Sequence, residues 1–226
     1  MTEHLLAEDS GTLADTAFRS LRKDIIRGVR QPDERLRIER LRQIYGIGPT
    51  PLREALQRLN QDGLVRAEGN RGFTVAPLNP AEFADLNIAR TSVEKETLRL
   101  SLTQGGDEWE AGVVAASYLM RKEDEALARA GGTAPDSWEM ANGKFHLSLV
   151  SACGSAWLLR VRALLHDLCE RYRRVSVSKR PTSRDLASEH AAIAEAALAR
   201  DIERTCDLTA QHFALTAAIL AETDDG

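Results

Sequence analysis

The chain has 226 residues, of which 43% are hydrophobic and only 5% aromatic, and its formal net charge is −4. That length fits one large domain or two small ones, and the Ala- and Leu-rich, aromatic-poor composition favours helix over sheet. No apolar run approaches the roughly 18 residues of a membrane span, the acidic opening MTEHLLAEDSGTLADT lacks the basic start of a secretion signal, and three scattered cysteines (Cys153, Cys169 and Cys206) read as reduced core thiols of a cytoplasmic protein.

The charge is unevenly spread. Residues 19–72 carry 13 Lys and Arg against 7 Asp and Glu, whereas residues 81–226 carry 17 against 23. A basic front end suits a polyanion, and an acidic back end implies a second task.

In chain order, a first helix is expected over 13–27, with Phe18, Leu21, Ile25 and Ile26 as its apolar stripe and Gly28 and Pro32 after it. A turn and a short helix over 38–45 follow, with Leu41 and Ile44 facing inward and Gly46 and Gly48 breaking it. The third helix is expected over 50–62, with Thr50 as N-cap and Pro51 as its first residue. Leu52, Ala55, Leu56 and Leu59 form its inner stripe, while Arg53, Gln57 and Asn60 form a polar outer one. LVRAEGNRGFTVAPL then reads as strand, turn (Glu68 to Gly72) and strand. Three short helices and a hairpin outline a winged helix-turn-helix, whose third helix fits a DNA major groove. Domain boundaries are expected at 1–76, a linker at 77–81 and a second domain at 82–226. That second domain should be all helical, over 81–104, 107–130, 135–153, 155–178, 182–200 and 201–221, with paired glycines and Pro181 punctuating an antiparallel bundle of six to seven helices.

Five histidines are present. His4 falls in the polar start and His166 beside Arg162 and Glu170. The other three share faces with apolar residues: His146 with Leu149, Val150 and Cys153; His190 with Leu186, Ile193, Ala194 and Ala197; His212 with Leu208, Leu215 and Ile219. Two readings stand. Each is a core imidazole satisfied by a neighbour, or the three converge from different helices on a metal such as Zn²⁺ or Ni²⁺. Asn142, four residues before His146, offers a weak fourth ligand. Arg90 and Glu94 are either a solvent-exposed i, i+4 pair or a cavity-facing arginine that grips a carboxylate.

The segment RLRIERLRQIYGIGPTPLREALQRLNQDGLVRAEGNRGFTV resembles the DNA-binding domain of GntR-family transcription regulators. NGKFHLSLVSACGSAWLL, EHAAIAEAALARD and the late QHF resemble the FCD effector-binding domain, and GGDEWEAGV, CGSAWLL and RYR are most similar to the carbon-starvation-induced type. Regulators of that type repress genes of glutarate and 2-hydroxyglutarate breakdown and respond to such five-carbon diacids. By position, the resemblance implies DNA contact by Arg53, with Thr50, Asn70, Arg71 and Gly72 matching less tightly. It implies metal ligation by His146, His190 and His212, and an effector pocket near Arg90. Two departures follow. Gly48-Pro49 stands where most of the family reads Ser-Arg, which shifts DNA affinity onto Arg35, Arg37, Arg40 and Arg53. Asn142 stands where Asp is commoner, which weakens metal retention and strengthens the pull on an anion.

The expected mechanism is a cytoplasmic homodimeric repressor. Two 50–62 helices read a palindromic operator, with Arg53 and Gln57 reaching base edges. A diacid effector bridges the metal and a cation, for which Arg90 and the Arg171, Tyr172, Arg173 segment are candidates. The rival reading is a metalloenzyme in which three histidines with open positions activate water. A third is a winged-helix module for protein interaction.

Overall fold

The computed structural model describes residues 11–69, 72–179 and 184–221. Asn70, Arg71 and His4 therefore lie outside the described residues. The chain divides into two units, Met1–Leu78 and Asn79–Gly226.

In the first unit, α1 (Leu13–Ile26), α2 (Ile38–Tyr45) and α3 (Pro49–Gln61) pack with β1 (Arg35–Leu36), β2 (Val65–Ala67) and β3 (Phe73–Val75). Helix α1 starts at a reciprocal cap: the Thr12 hydroxyl accepts from the Asp15 amide, and the Asp15 carboxylate accepts from the Thr12 amide. Leu21 and Ile25 meet Leu52, Ala55, Leu56 and Leu59 of α3 in the core, all at most 1% exposed. Gly46 ends α2 with φ +67°, a left-handed turn that glycine adopts without strain. The antiparallel sheet runs β1-β3-β2, with Arg35 opposite Thr74 and Arg66 also opposite Thr74 on the other side.

Four local expectations are corrected. The 31–37 stretch is not only a turn: Arg35–Leu36 adds a third strand, because the β3 edge would otherwise leave backbone groups unpaired. Helix α3 begins at Pro49 with Gly48 as cap, so Thr50 is inside the helix rather than capping it. Ile44 is 45% exposed. Asn79 caps α4 through its side-chain oxygen, so α4 starts at Pro80 and takes the last two residues of the expected linker.

The second unit contains α4 (Pro80–Gln104), α5 (Asp107–Ala130), α6 (Asp136–Val150), α7 (Ala156–Lys179), α8 (Leu186–Leu198) and α9 (Ile202–Ala221). Helix α4 packs on α7 and α9, and α5 packs on α6 and α8. Trp138, Phe145, Leu149, Val113, Met120 and Ile193 anchor the core. Beside this apolar core lies a polar interior: Arg90 and Glu94 of α4, Glu139, Asn142 and His146 of α6, Arg162 and Arg173 of α7, His190 of α8, and Thr209 and His212 of α9 are all buried. The three cysteines are buried and free. Leu215, expected inside, is 41% exposed. Among the described residues, no helix is long and apolar enough to cross a membrane.

Candidate functional site

The basic surface belongs to the first unit. Arg35, Arg37, Arg53 and Gly72 line one surface groove with Leu36, Ile38, Gly69 and Phe73. Arg40, Thr50, Arg53 and Gln57 are exposed. Arg53 makes no ion pair with a described residue. Arg58, one turn on, is committed differently: its guanidinium donates to Asp15 at 2.7 Å and lies 4.3 Å from the Phe18 ring centroid. That bond, with the Thr12 cap, holds the Asp15 carboxyl down at about 2. Arg58, outside the Arg53–Gln57–Asn60 stripe, therefore ties α3 to α1, while Arg53 is exposed. With no side-chain cap at Gly48, the positive end of the α3 dipole is left for an anion.

The second site is the polar interior of the bundle. His146, His190 and His212 each offer a ring nitrogen, and these atoms all lie within 4.8 Å of one another. Their ring centroids are 4.9 to 5.8 Å apart. The His190 Nδ1 lies 2.7 Å from Asp124 Oδ2, and the His212 Nδ1 lies 2.6 Å from Glu189 Oε2. Burial pushes the His146 pKa well below its ordinary value, with the charges of the other two imidazoles adding to the effect. Burial also pushes His212 down to about 3, against the pull of Glu189. Burial alone would raise Glu189, yet its bonds from Arg184 and His212 bring it to about 2. His146 and His212 are therefore neutral near pH 7, the state in which an imidazole offers a lone pair.

Asn142 projects from the same face of α6 as His146, and its amide nitrogen lies 3.4 Å from His190 Nε2. Its Oδ1 is buried with no hydrogen-bond partner, as is His146 Nδ1. A half-turn of the amide exchanges oxygen and nitrogen, which presents an oxygen to the imidazole cluster. The ring nitrogens of three buried histidines and an unpartnered amide oxygen fit a divalent cation of the zinc or nickel kind.

Next to this cluster is a cationic patch. The Arg90 guanidinium lies 3.5 Å from the Phe213 ring centroid, and its Nε has no partner. Burial lowers the Arg90 pKa, and the nearby Arg173 and Arg162 charges act in the same direction against Cys169 and Glu94. The solvent-exposed Arg90–Glu94 pair is corrected: both are buried, and Glu94 binds Arg162 at 2.9 Å. Arg162 also donates to the His146 carbonyl at 3.1 Å. Arg173 pairs with Glu139 and keeps Nε and Nη1 unpartnered.

The Arg171, Tyr172, Arg173 segment is corrected as well. Consecutive helical residues point about 100° apart, so the three cannot face one point. Tyr172 instead stacks on Phe83 at 4.5 Å, and its hydroxyl accepts from the Asn79 amide at 3.4 Å. Arg171 is buried with its own interactions. Sequence reasoning missed Asp124, Glu139, Arg162 and Arg184. For Asp124 the signal was present, a carboxylate in the apolar stripe Val113, Met120, Leu127 of α5.

A winged helix-turn-helix followed in sequence by a helical bundle is the architecture of a DNA-binding transcription regulator. Residues 13–75 match the family model "Bacterial regulatory proteins, gntR family", and residues 85–215 match the FCD domain. The chain belongs to the GntR family and carries an FCD domain, and it is a DNA-binding transcription regulator rather than an enzyme. It is 36% identical over 213 residues to the HTH-type transcriptional repressor GlaR of Escherichia coli (strain K12), covering 92% of this chain and 96% of that protein. It is also 36% identical over 211 residues to the uncharacterized HTH-type transcriptional regulator BphR of Paraburkholderia xenovorans (strain LB400), covering 93% of this chain and 86% of that protein. The solved structure of E. coli McbR/YncC shares the fold, with a TM-score of 0.76 at 18% identity over 94% of this chain and 99% of that one.

Proposed function

We propose that this chain is a cytoplasmic, homodimeric repressor that leaves a palindromic operator when its bundle binds a small carboxylate, a five-carbon diacid such as glutarate or 2-hydroxyglutarate. The observation that carries the reading is the buried histidine cluster beside an arginine, Arg90, that makes no ion pair with a carboxylate among the described residues. The relative GlaR is named a repressor, and the sequence resembles the carbon-starvation-induced type, whose effectors are five-carbon diacids.

His146, His190, His212 and Asn142 are the residues that would hold a divalent metal, Zn²⁺ or Ni²⁺. When bound, that ion would supply positive charge that attracts one carboxylate of the effector. Arg90 takes the second carboxylate; Phe213 beneath it excludes water and keeps the guanidinium in place. Arg173, close enough for its charge to act on Arg90, adds to the positive field. In the first unit, Arg35, Arg37, Arg40 and Arg53 neutralise phosphates. Arg53 and Gln57 reach base edges, and Thr50, Asn70, Arg71 and Gly72 complete the contact. Two copies match a palindrome by their own symmetry. Trp157, 72% exposed, shares one face of α7 with Val161 and Leu164, an apolar strip suited to a second copy. Binding the effector favours one arrangement of the two reading modules, and an operator of fixed half-site spacing then loses affinity.

The test is metal analysis of the purified protein, then thermal shift with C4 to C6 diacids, then a mobility shift on DNA upstream of its own gene. The expected result is about one divalent ion per chain, the largest thermal shift with C5 diacids, and release of DNA by the same compounds. Failure of every diacid to raise the melting temperature or release DNA overturns the effector reading. Conversion of a diacid to product would favour the metalloenzyme.

A further inference from the structure

The histidines of the cluster are not held alike. The His190 Nδ1 meets Asp124 Oδ2, and the other oxygen of Asp124 accepts from the Trp138 indole at 2.8 Å. The His212 Nδ1 meets Glu189 Oε2. Glu189 is itself gripped side-on by one edge of a guanidinium: Arg184 Nε donates to Oε1 at 2.8 Å and Nη2 to Oε2 at 2.9 Å. Arg184 further donates to the His212 carbonyl and the Thr216 hydroxyl, so one side chain fixes both the carboxylate and the helix that carries the imidazole. His146 has no such support on Nδ1.

We propose that Asp124, set by Trp138, and Glu189, set by Arg184, are positioning residues that lock His190 and His212 in the Nδ1–H tautomer and so turn both Nε2 lone pairs toward a shared divalent cation. This rests on the metal reading above. A carboxylate can only accept, so the Nδ1 facing it must carry the proton. The remaining lone pair is then on Nε2, and for His190 that is the nitrogen facing Asn142. The loop entering α8 thereby acts on the metal without touching it. Arg184 orients Glu189, and Glu189 orients His212. The two braces reach the cluster from different elements, α5 through Asp124 and α8 through Glu189.

Near-isosteric amide variants separate this role from simple packing. An amide has one oxygen where the carboxylate has two. In Asp124→Asn that oxygen cannot serve both the Trp138 indole and His190. In Glu189→Gln the amide nitrogen would have to face either the Arg184 guanidinium or the His212 N–H. Each change therefore weakens the hold on the Nδ1–H tautomer while preserving volume.

The experiment uses the full chain labelled with ¹⁵N-histidine, in which long-range ¹⁵N–¹H correlation reads the tautomer of the metal-free protein. Zn²⁺ affinity is then measured by competition with a chromophoric chelator. Wild type should show His190 and His212 as Nδ1–H and should bind Zn²⁺. Glu189→Gln and Asp124→Asn should each lose that tautomer at the affected ring and lower Zn²⁺ affinity about 10- to 100-fold. Trp138→Phe, which keeps the ring and removes only the indole donor, should give a smaller loss and serves if Asp124→Asn does not fold. Glu96→Gln, at an exposed pair with Arg99, should change neither readout. Wild-type Zn²⁺ binding with unchanged tautomers and affinity in the amide variants overturns the positioning roles alone. Absence of Zn²⁺ binding by the folded wild type overturns the metal reading and this proposal with it.

Discussion

Two buried arginines of the bundle, one helix apart, should respond oppositely to the same substitution. Arg162 is bonded to Glu94 at 2.9 Å, and their side chains are 6% and 2% exposed. Arg162→Met leaves the Glu94 carboxylate buried without its counter-ion and removes the donor to the His146 carbonyl. Breaking one side of such a pair costs about 3–5 kcal/mol. For a domain of this size each kcal/mol lowers the melting temperature by about 2–4 °C, so the drop should reach roughly 10 °C. Arg90 instead lies over Phe213 with no carboxylate committed to it. Arg90→Met gives up a cation–π contact worth up to about 2 kcal/mol, and the thioether regains part of that against the ring. Urea unfolding followed by circular dichroism gives the two stabilities, and thermal shift with glutarate gives the two responses. The expected pattern is a marginally destabilised Arg90→Met that no longer responds to diacid, beside a strongly destabilised Arg162→Met. Adding Glu94→Leu to Arg162→Met should recover most of the loss, because an apolar pair replaces an ion pair at little cost. Equal destabilisation of the two single variants, or a diacid response that survives in Arg90→Met, refutes the assignment of Arg90 to ligand and Arg162 to structure.

Three further outcomes are expected. Arg53→Ala should abolish operator binding in a mobility shift while leaving the diacid thermal shift intact; loss of both would mark misfolding. If Arg35, Arg37, Arg40 and Arg53 each neutralise a phosphate in both copies, about eight counterions are released, and log K should fall with log salt at a slope near −7; a slope shallower than about −2 contradicts that contact set. The Asp15 carboxyl sits at about 2 because of Arg58 and the Thr12 cap, below its ordinary 3.8. A depressed folded-state pKa gives stability above pH 4 that is lost as pH falls toward 2, so the gap in urea midpoint between wild type and Asp15→Asn should close over that interval. A gap independent of pH rules out the Asp15–Arg58 bond as its source.

The DNA-reading half was legible because its signals are local. Leu52, Ala55, Leu56 and Leu59 follow helical period, and all four are buried. The Gly-rich turn before Phe73 marks the wing from composition alone. What escaped there depended on distant partners. The strand at Arg35–Leu36 exists only because β3 offers an edge, and the commitment of Arg58 is fixed by Asp15, 43 residues away in sequence. In the bundle, helical phase alone brought His146, His190 and His212 inward. It says nothing of Tyr172, because a periodic pattern reports which side of a helix is buried but not which neighbour buries it, and that neighbour is Phe83.

Helix α4 makes the same point from the polar side. Arg90, Glu94, Thr97 and Ser101 are buried at helical spacing, a stripe that reads as solvent-facing to any argument from hydrophobicity. Its burial follows from the groups opposite: Arg162 for Glu94, the Phe213 ring for Arg90, and the Ala152 amide, which donates to the Ser101 hydroxyl at 3.1 Å. Glu94 with Arg162, Glu139 with Arg173 and Glu189 with Arg184 are bonded as opposite charges, whereas Arg90 makes no ion pair with a described carboxylate.

Glu189 carries the argument one step further. Adjacent to His190, it points about 100° around α8 from it, which disqualifies it as a base for that imidazole. The same rotation aims it at α9, where it receives the His212 Nδ1 at 2.6 Å. Neighbours in sequence therefore belong to different histidine pairs: His190 meets Asp124 of α5, and Glu189 meets His212. Of the three imidazoles whose ring nitrogens gather within 4.8 Å, His190 and His212 are oriented by carboxylates from outside the cluster, and His146 is not. Helical geometry makes the carboxylate that meets one histidine the chain neighbour of another, so substitutions at Glu189 should affect His212 before they affect His190.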